Sequence, residues 1–337
     1  MGTGIWILAN SRPFEGLVLT ICILLALLRS SLKSSASENR ATRRAILLPS
    51  VLCLLCMTLQ IGYYNYRITG SPLTLPYMAH ERTYGATPQL VWQAPPAPVS
   101  YNHPRIERFY HTNDSRQYYL LRTLAGFLSF NQMKLAVVLD GFYGSLNMVL
   151  ILGVLPLLLR KSPDARLATA TLACVLCAFL FEKSHFIHYM APAMSLFLYL
   201  LYACLQEITR WKWQGVAFGK PFAALWIASL LVIGGHALVT LPFADAEPFP
   251  FRRSQIVQEL KAKGGKHLVL VHYGEAHDLN AEWVYNEADI ENSPIVWAEE
   301  MGQERDIPLL EHFRNRQLWT LNADDFSAPL TPFSLVK

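Results

Sequence analysis

The chain has 337 residues, of which 52% are hydrophobic and only 16% are charged. Soluble domains carry roughly a quarter charged residues, so this composition indicates a membrane protein. Residues 1–242 hold 20 Lys and Arg against 9 Asp and Glu, a net charge of +11, whereas residues 243–337 hold 9 against 16, a net charge of −7. This asymmetry excludes one uniform soluble domain, a disordered tail protein and a nucleic-acid binder.

Apolar stretches predict about six membrane-spanning helices within residues 1–242. A helix needs about 20 apolar residues to cross the hydrocarbon core of a bilayer. Four stretches come close to that length and two are shorter. In chain order, the six are residues 16–28, 46–63, 135–159, 167–181, 188–205 and 222–241.

Positive charge in the short loops predicts the orientation of these spans. Eleven Lys and Arg fall in three alternate short loops, and short loops rich in cations stay in the cytoplasm. Residues 65–134, 182–187 and 243–337 are therefore expected outside. The eleven cations are Arg29, Lys33, Arg40, Arg43, Arg44, Arg160, Lys161, Arg166, Arg210, Lys212 and Lys220.

The long outer loop, residues 65–134, mixes helix breakers with apolar and aromatic residues. Gly70, Pro72 and Pro76 end the preceding helix, and the apolar residues around them favour a loop that lies along the membrane interface. Farther along, Tyr, Leu and Phe at helical spacing predict one amphipathic helix over residues 115–133, on the membrane surface.

Residues 243–337 have the pattern of a small α/β domain. Helices alternate with short apolar strands, which is typical of a two-layer or three-layer unit. The chain has neither a G-x-G-x-x-G sequence nor a P-loop, so nucleotide binding is not expected. The predicted helices are residues 252–262 and 304–315, and the predicted strands are residues 267–272, 295–297 and 318–321.

The sequence predicts no disulfide framework and no metal site. All six cysteines lie in predicted spans, where they are interpreted as small core residues. Residues 274–306 carry ten acidic residues and one basic residue. We interpret them as a solvated acidic surface, suited to a protein partner, because their spacing fits neither an EF-hand nor a zinc motif. No cofactor is required, although a divalent metal stays possible.

Candidate functional residues lie near the outer ends of the spans. Ionisable groups at membrane depth are costly and are usually functional. Arginine can bind a phosphate through two parallel hydrogen bonds, which suits a phosphate head group on a lipid tail. The candidates are Arg12, Glu15, Arg67, His80, Arg82, Asp140, His185, His188 and Tyr189.

Several of these residues have plain structural alternatives. Arg12 and Glu15 could form an ion pair at the interface. Asp140 could cap a helix whose membrane part begins at residue 142, because a negative charge is favourable at a helix N-terminus. His185 and His188 could bind a metal, but hydrogen bonding within their loop is the simpler interpretation.

Four segments resemble bacterial multi-spanning glycosyltransferases of the GT-C class, the relatives of the protein mannosyltransferases and the aminoarabinose transferase. Three of them, NSRPFEG, YNYRITGSPLTLPY and HFIHYMAP, border predicted spans at residues 10–16, 64–77 and 185–192. The fourth, EWVYNEADIENSPIVWAEEMG at residues 282–302, resembles the C-terminal periplasmic part of such proteins. The resemblance covers most of this chain but only about the C-terminal half of the family's architecture.

The resemblance implies sugar transfer from a polyprenyl-phosphate carrier at the outer face of the bacterial inner membrane. In that family the catalytic carboxylate, a general base, lies in a first outer loop that would precede residue 10. We therefore expect this chain to lack it, and the catalytic residues stay unassigned. The resemblance implies carrier-phosphate or sugar contacts by Arg67, Arg82, His185, His188 and Tyr189, joined by Arg12 at the start of the first span, with Glu15, His80 and Asp140 as weaker candidates.

Taken together, the sequence predicts a mainly α protein. Residues 1–242 form a polytopic membrane helix bundle of about six spans, and residues 243–337 form a small extramembrane α/β domain. One alternative function is a non-catalytic membrane scaffold whose acidic outer domain binds a partner. A transporter is less favoured, because transporters usually show internal repeats and ionisable groups near the middle of the membrane.

Overall fold

The computed structural model describes residues 2–33, 36–101, 103–240, 248–278 and 281–333. It is mainly helical, at 66%, with a small mixed sheet. The chain divides into two compact units, Met1–Ala228 and Ser229–Lys337, and each is described by itself. The predicted domain boundary after residue 242 lies outside the described residues.

Ten α-helices occupy most of the described chain up to Thr240, together with a π-helical turn at Phe109–Asp114 and a 3₁₀ helix at Ile187–Ala193. Their bounds are α1 Gly2–Ser11, α2 Pro13–Lys33, α3 Ala36–Thr69, α4 Pro76–Tyr84, α5 Pro104–Arg108, α6 Ser115–Leu121, α7 Leu124–Lys161, α8 Pro163–Leu180, α9 Met194–Ile208 and α10 Gly219–Thr240.

Five helical segments of the described chain are long and apolar enough to cross a membrane. They coincide with five of the six predicted spans. The remaining predicted span, residues 46–63, lies within α3, and the side chains of residues 46–48 are outside the described part. The five segments are Pro13–Ser30, Leu124–Lys161, Pro163–Leu180, Ile187–Ile208 and Gly219–Thr240.

The first unit is built around α7, α8 and α9. Their facing sides bury one apolar cluster, in which the ring of Phe142 stacks on that of Phe197 at 4.3 Å. Their other sides expose large apolar side chains, such as Val149 and Leu152, both 68% exposed. Apolar surfaces of this kind mark interfaces with protein or membrane.

The prediction of one helix over residues 115–133 is wrong. α6 ends at Leu121 and α7 begins at Leu124. Thr123 lies between them in an extended conformation, and its hydroxyl accepts a hydrogen bond from the backbone N–H of Gly126, 3.1 Å away. Threonine is a favoured N-cap because its side chain satisfies an otherwise unpaired N–H group. The cap therefore starts a new helix where side-chain periodicity alone predicted continuity.

The interpretation of Asp140 as a helix cap is also wrong. Asp140 lies inside α7, which begins at Leu124. The interruption of α7 comes one turn later, at Gly144, whose φ of 66° and ψ of 164° are not helical. A left-handed φ carries little steric penalty for glycine, which lacks a Cβ atom. Asp140 thus precedes the interruption and cannot cap the segment that follows it.

The second unit contains a four-stranded sheet of order β2-β1-β3-β4. β1, β2 and β3 are parallel, and β4 is antiparallel to β3. Three of these strands and both helices confirm the predicted elements, with small shifts of their ends, whereas β4 was not predicted. Their bounds are α11 Pro248–Lys263, β1 His267–His272, β2 Ile295–Glu299, α12 Gln303–His312, β3 Gln317–Asn322 and β4 Thr331–Pro332.

The sheet has a helix on each face, which makes the unit three-layered. Alternate residues of a strand point to opposite faces. Val269 of β1 accordingly packs in one cluster with Ile256 of α11. Leu268 packs in a second cluster with Leu310 of α12. Burial on both faces explains why β1 is almost continuously apolar.

We expect Gly219→Ala to destabilise the protein. Gly219 begins α10, and a Cβ atom there would lie 1.9 Å from the carbonyl oxygen of Ile208 at the end of α9. Moving that backbone should lower the apparent Tm by about 2–5 °C in a thermal unfolding measurement. The control is Gly153→Ala, inside α7, because a Cβ there meets no described atom within 4 Å. Equal Tm values for the two variants would contradict this account.

Candidate functional site

A buried loop follows α8 and lies against a distant part of the chain. The backbone N–H of Lys183 donates to the carbonyl of Gln89 at 2.8 Å, and that of Val91 donates to the carbonyl of Phe181 at 3.0 Å. These bonds form a short antiparallel pairing between residues 89–91 and 181–183. As a result, the polar residues Glu182, Lys183 and Ser184 are buried.

Two buried lysines hold this loop in place. The Nζ of Lys183 donates to the carboxylate of Asp114 at 2.5 Å and to the carbonyl of Thr87 at 2.9 Å. The Nζ of Lys134, on α7, donates to the carbonyls of Phe179 and Glu182, at 2.6 and 2.8 Å. A buried charge is tolerated only when it is paired and hydrogen-bonded. Lys134 therefore fixes the loop after α8 to α7, and Lys183 fixes it to the long loop of residues 65–134.

Two buried carboxyl groups, those of Glu15 and Glu182, lie close to each other and to Arg12. Glu15 stands in the first turn of α2, and Glu182 follows α8. Each has one buried carboxylate oxygen with no hydrogen-bond partner among the described residues. Burial, followed by the nearby charge of Glu15, raises the pKa of Glu182 to about 8, although Lys134 and Arg12 act in the opposite direction. Glu182 is therefore largely protonated at neutral pH.

Arg12, close to both carboxyl groups, and a set of aromatic rings form a second part of the site. The guanidinium carbon of Arg12 lies 3.8 Å from the centre of the Tyr189 ring, a cation–π contact. Phe186 stacks on His185 at 4.8 Å and on His188 at 5.5 Å. Burial, and then the charge of Lys134, lower the pKa of His185. Its imidazole is therefore held in the neutral form near neutral pH.

Helix α4 supplies a further side of the site. The hydroxyl of Tyr77 hydrogen-bonds the side chain of Gln89, and burial followed by the charge of Glu81 raises the pKa of Tyr77. Burial also raises the pKa of Glu81. The charge of Lys183 lowers this pKa, whereas the charge of Asp114 raises it. One turn away from Tyr77, the Nε2 of His80 lies 2.8 Å from the hydroxyl of Tyr110.

We call this set of residues the polar cluster. It consists of Arg12, Glu15, Tyr77, His80, Glu81, Asp114, Lys134, Glu182, Lys183, His185, His188 and Tyr189. Six of the nine sequence candidates belong to it. The other three, Arg67, Arg82 and Asp140, have exposed side chains outside it. The guanidinium of Arg67 donates to the hydroxyl of Tyr63 at 3.3 Å, one turn earlier in α3.

The sequence candidates left out four members of the polar cluster that hold its loops together. Lys134, Glu182 and Lys183 are buried, and Asp114 is half-buried. A usable signal was present, because Glu182 and Lys183 stand between two apolar spans in a loop too short to reach far into water. Lys134 likewise directly precedes a long apolar run.

The polar cluster has the chemistry to bind a polar or anionic group. Arg12 is a hydrogen-bond donor and a positive charge. The unpartnered carboxyl oxygens of Glu15 and Glu182 can accept hydrogen bonds from hydroxyl groups. Among the described residues, no three His, Cys, Asp or Glu side chains are arranged to hold a metal ion.

In the second unit, polar residues gather at the carboxyl ends of the parallel strands. The Nδ1 of His272 lies 2.9 Å from the carboxylate of Glu300. Likewise, the Nδ1 of His277 lies 2.7 Å from the carboxylate of Asp324. Burial raises the pKa of Asp324, but hydrogen bonds from His277 and the backbone N–H of Gly274 outweigh it and hold the pKa below its usual range. These pairs tie the loops together at this edge.

Comparisons of the chain with protein-family models, with curated proteins and with solved structures gave no match. The resemblance to GT-C-class glycosyltransferases therefore rests on the sequence segments alone.

We expect Glu182→Gln to change how stability depends on pH. The folded chain holds the proton of Glu182 more tightly than the unfolded chain does, and this difference stabilises the fold. The stabilisation is complete below the ordinary carboxyl pKa and is lost as the pH rises towards 8. Glutamine cannot lose a proton, so the variant should unfold about 5 °C higher than the wild type at pH 9 and show a flatter curve between pH 6 and 9.

The measurement is the apparent Tm of the detergent-solubilised chain across that pH range. Glu107→Gln is the matched control, because Glu107 is exposed on α5 and its curve should run parallel to that of the wild type. If Glu182→Gln follows the wild-type curve at every pH, the raised pKa of Glu182 is refuted.

Proposed function

We propose that this chain spans the bacterial inner membrane and forms part of a GT-C-class glycosyltransferase that uses a polyprenyl-phosphate-linked sugar. The observation that carries the proposal is the polar cluster at one end of the apolar helices, in which Glu15, Lys134, Glu182 and Lys183 are buried. A substrate with a long apolar tail and a charged, hydroxyl-rich head matches both parts of that arrangement. The spans in this proposal are α2, α3, α7, α8, α9 and α10.

The distribution of charge supports the proposed orientation. The junctions α7–α8 and α9–α10 carry exposed cations, among them Arg160, Arg166 and Lys212, and Arg29 is exposed near the end of α2. The polar cluster lies at the other end, where α2 begins and α8 ends. By the positive-inside rule, the cation-rich junctions face the cytoplasm. The polar cluster and the second unit are then periplasmic.

The residues of the polar cluster have complementary roles in this proposal. Arg12 binds the phosphate of the carrier, since arginine is suited to bidentate recognition of phosphate. Glu15 and Glu182 accept hydrogen bonds from sugar hydroxyls through oxygens that are otherwise unpartnered in the described chain. Trp92, 58% exposed and packed against Phe181, offers an apolar ring face to the sugar.

A non-catalytic scaffold is the second candidate, and the second unit favours it. Glu287, Asp289 and Glu291 are exposed together on the loop before β2. An acidic surface of this kind can bind a basic patch on a partner protein. In this alternative, the polar cluster binds lipid but takes no part in sugar transfer.

The proposal predicts that Arg12→Ala weakens binding of a polyprenyl phosphate by at least about tenfold, because a charge-assisted contact is lost. Binding is measured by titrating the lipid into the purified full chain in detergent. Arg116→Ala is the matched control, because Arg116 is an exposed arginine on α6 and its loss should leave the affinity unchanged.

Three results would contradict the proposal. The wild-type chain could bind the polyprenyl phosphate no more tightly than the corresponding polyprenol, which lacks the phosphate. Arg12→Ala could keep the wild-type affinity. Both arginine variants could lose affinity equally, which would indicate an unspecific charge effect. Phosphate-dependent binding that does not distinguish a sugar-linked polyprenyl phosphate from the bare polyprenyl phosphate would favour the scaffold.

A further inference from the structure

The junction between α9 and α10 is a tight hairpin, which we call the Trp213 hairpin and define as residues 211–218. The backbones of Trp213 and Val216 exchange two hydrogen bonds, both of 2.9 Å. The two residues between them, Gln214 and Gly215, have left-handed φ values of 48° and 85°. Two successive left-handed residues are the signature of a type I′ turn.

The Trp213 hairpin is fastened to the ends of both helices. The backbone N–H of Trp211 donates to the carbonyl of Ile208 at 2.9 Å, and that of Gly219 donates to the carbonyl of Trp211 at 3.2 Å. The indole of Trp211 packs against the apolar core of the first unit. The position of the hairpin is therefore set by the helices and not by a loose loop.

The tip of the Trp213 hairpin displays apolar side chains. Trp213 is 70% exposed and Val216 is 68% exposed. Together with Gln214 and Phe218 they line a shallow groove of about 480 Å³. Because neighbours across a hairpin point to the same side, the two large side chains form one surface.

Cations surround this apolar surface. Arg210, Lys212 and Lys220 are exposed next to the hairpin. The nearest acidic residue of α9, Glu207, is already paired with Lys161 at 2.5 Å and with Arg210 at 3.3 Å. The charge left over at this end is positive and matches an anionic surface.

We propose that the Trp213 hairpin is a membrane anchor that binds the head groups of anionic phospholipids. Trp213 and Val216 lie at the boundary between head groups and acyl chains, where tryptophan is enriched. Lys212 and Lys220 contact lipid phosphates, and each such cation strengthens attraction to an anionic leaflet. This inference rests on the membrane-spanning part of the proposed function and not on sugar transfer.

The geometry favours a lipid surface over a protein partner as the occupant. The hairpin is continuous with α9 and α10, whose length and composition suit membrane crossing. It therefore stands where those helices would leave the hydrocarbon. The pairing of an apolar tip with flanking cations is the pattern of interfacial segments that bind anionic lipid.

The first test measures the depth of Trp213 in the full chain reconstituted into nanodiscs. The discs contain phosphatidylglycerol and phosphatidylcholine with brominated acyl chains, which quench nearby tryptophans. Trp213→Phe keeps an apolar ring but removes the fluorophore. We expect the wild type to show a component, absent from the variant, that is quenched most strongly by bromines near the head group. Identical quenching in the two proteins would overturn the proposal. It would indicate that the tip of the Trp213 hairpin binds a protein partner instead.

The second test measures lipid selectivity by native mass spectrometry of the same discs. Lys212→Glu combined with Lys220→Glu should lower retained phosphatidylglycerol by about threefold or more, while retained phosphatidylcholine stays unchanged. The matched control is Lys261→Glu combined with Lys263→Glu on α11, which should keep wild-type retention. Equal retention in both double variants would overturn the proposal.

Failure of this inference differs from failure of the proposed function. A chain that does not enter nanodiscs at all refutes the membrane-spanning part of the proposed function, and the anchor with it. A chain that enters nanodiscs but shows no Trp213 quenching refutes the anchor alone.

Discussion

The first unit depends on one physical constraint. A lysine that is buried among apolar helices needs hydrogen-bond acceptors or a carboxylate around its charged Nζ atom. Lys183 is 1% exposed and Lys134 is fully buried. Each finds its acceptors in residues far away in sequence, 69 to 96 positions apart for Lys183 and 45 to 48 for Lys134. The loop after α8, the π-helical turn and the start of α7 are brought together because these acceptors cannot be supplied locally.

The same constraint gives the two ends of the helices different chemistry. At one end, buried charges are paired within the protein, and Glu182 keeps its proton near neutral pH. At the other end, the cations around the Trp213 hairpin are exposed and their charge faces outward. An apolar body with these two unlike ends is the arrangement on which the proposed orientation in the membrane rests.

Local patterns in the sequence predicted the elements, but they did not predict the polar cluster. Apolar length located the five membrane-length segments, and alternation located the strands, because both depend on neighbouring residues. The break at Thr123 was missed because a single cap overrides side-chain periodicity. Lys134 and Glu182 were missed because their importance comes from a contact between distant segments. The charge beside an apolar span that singled out Arg12 is also present at Lys134 and Glu182, but the contact that joins these two leaves no local pattern.

The pair formed by the buried Lys183 and the half-buried Asp114 holds the long loop on the helices. A double-mutant cycle tests it directly, with Lys183→Met, Asp114→Asn and the double variant, each unfolded by denaturant in mixed micelles. We predict that either single change destabilises the chain about as much as both together, with a coupling free energy above about 1 kcal/mol. Additive effects, within about 0.5 kcal/mol, would show that the pair does not hold the loop.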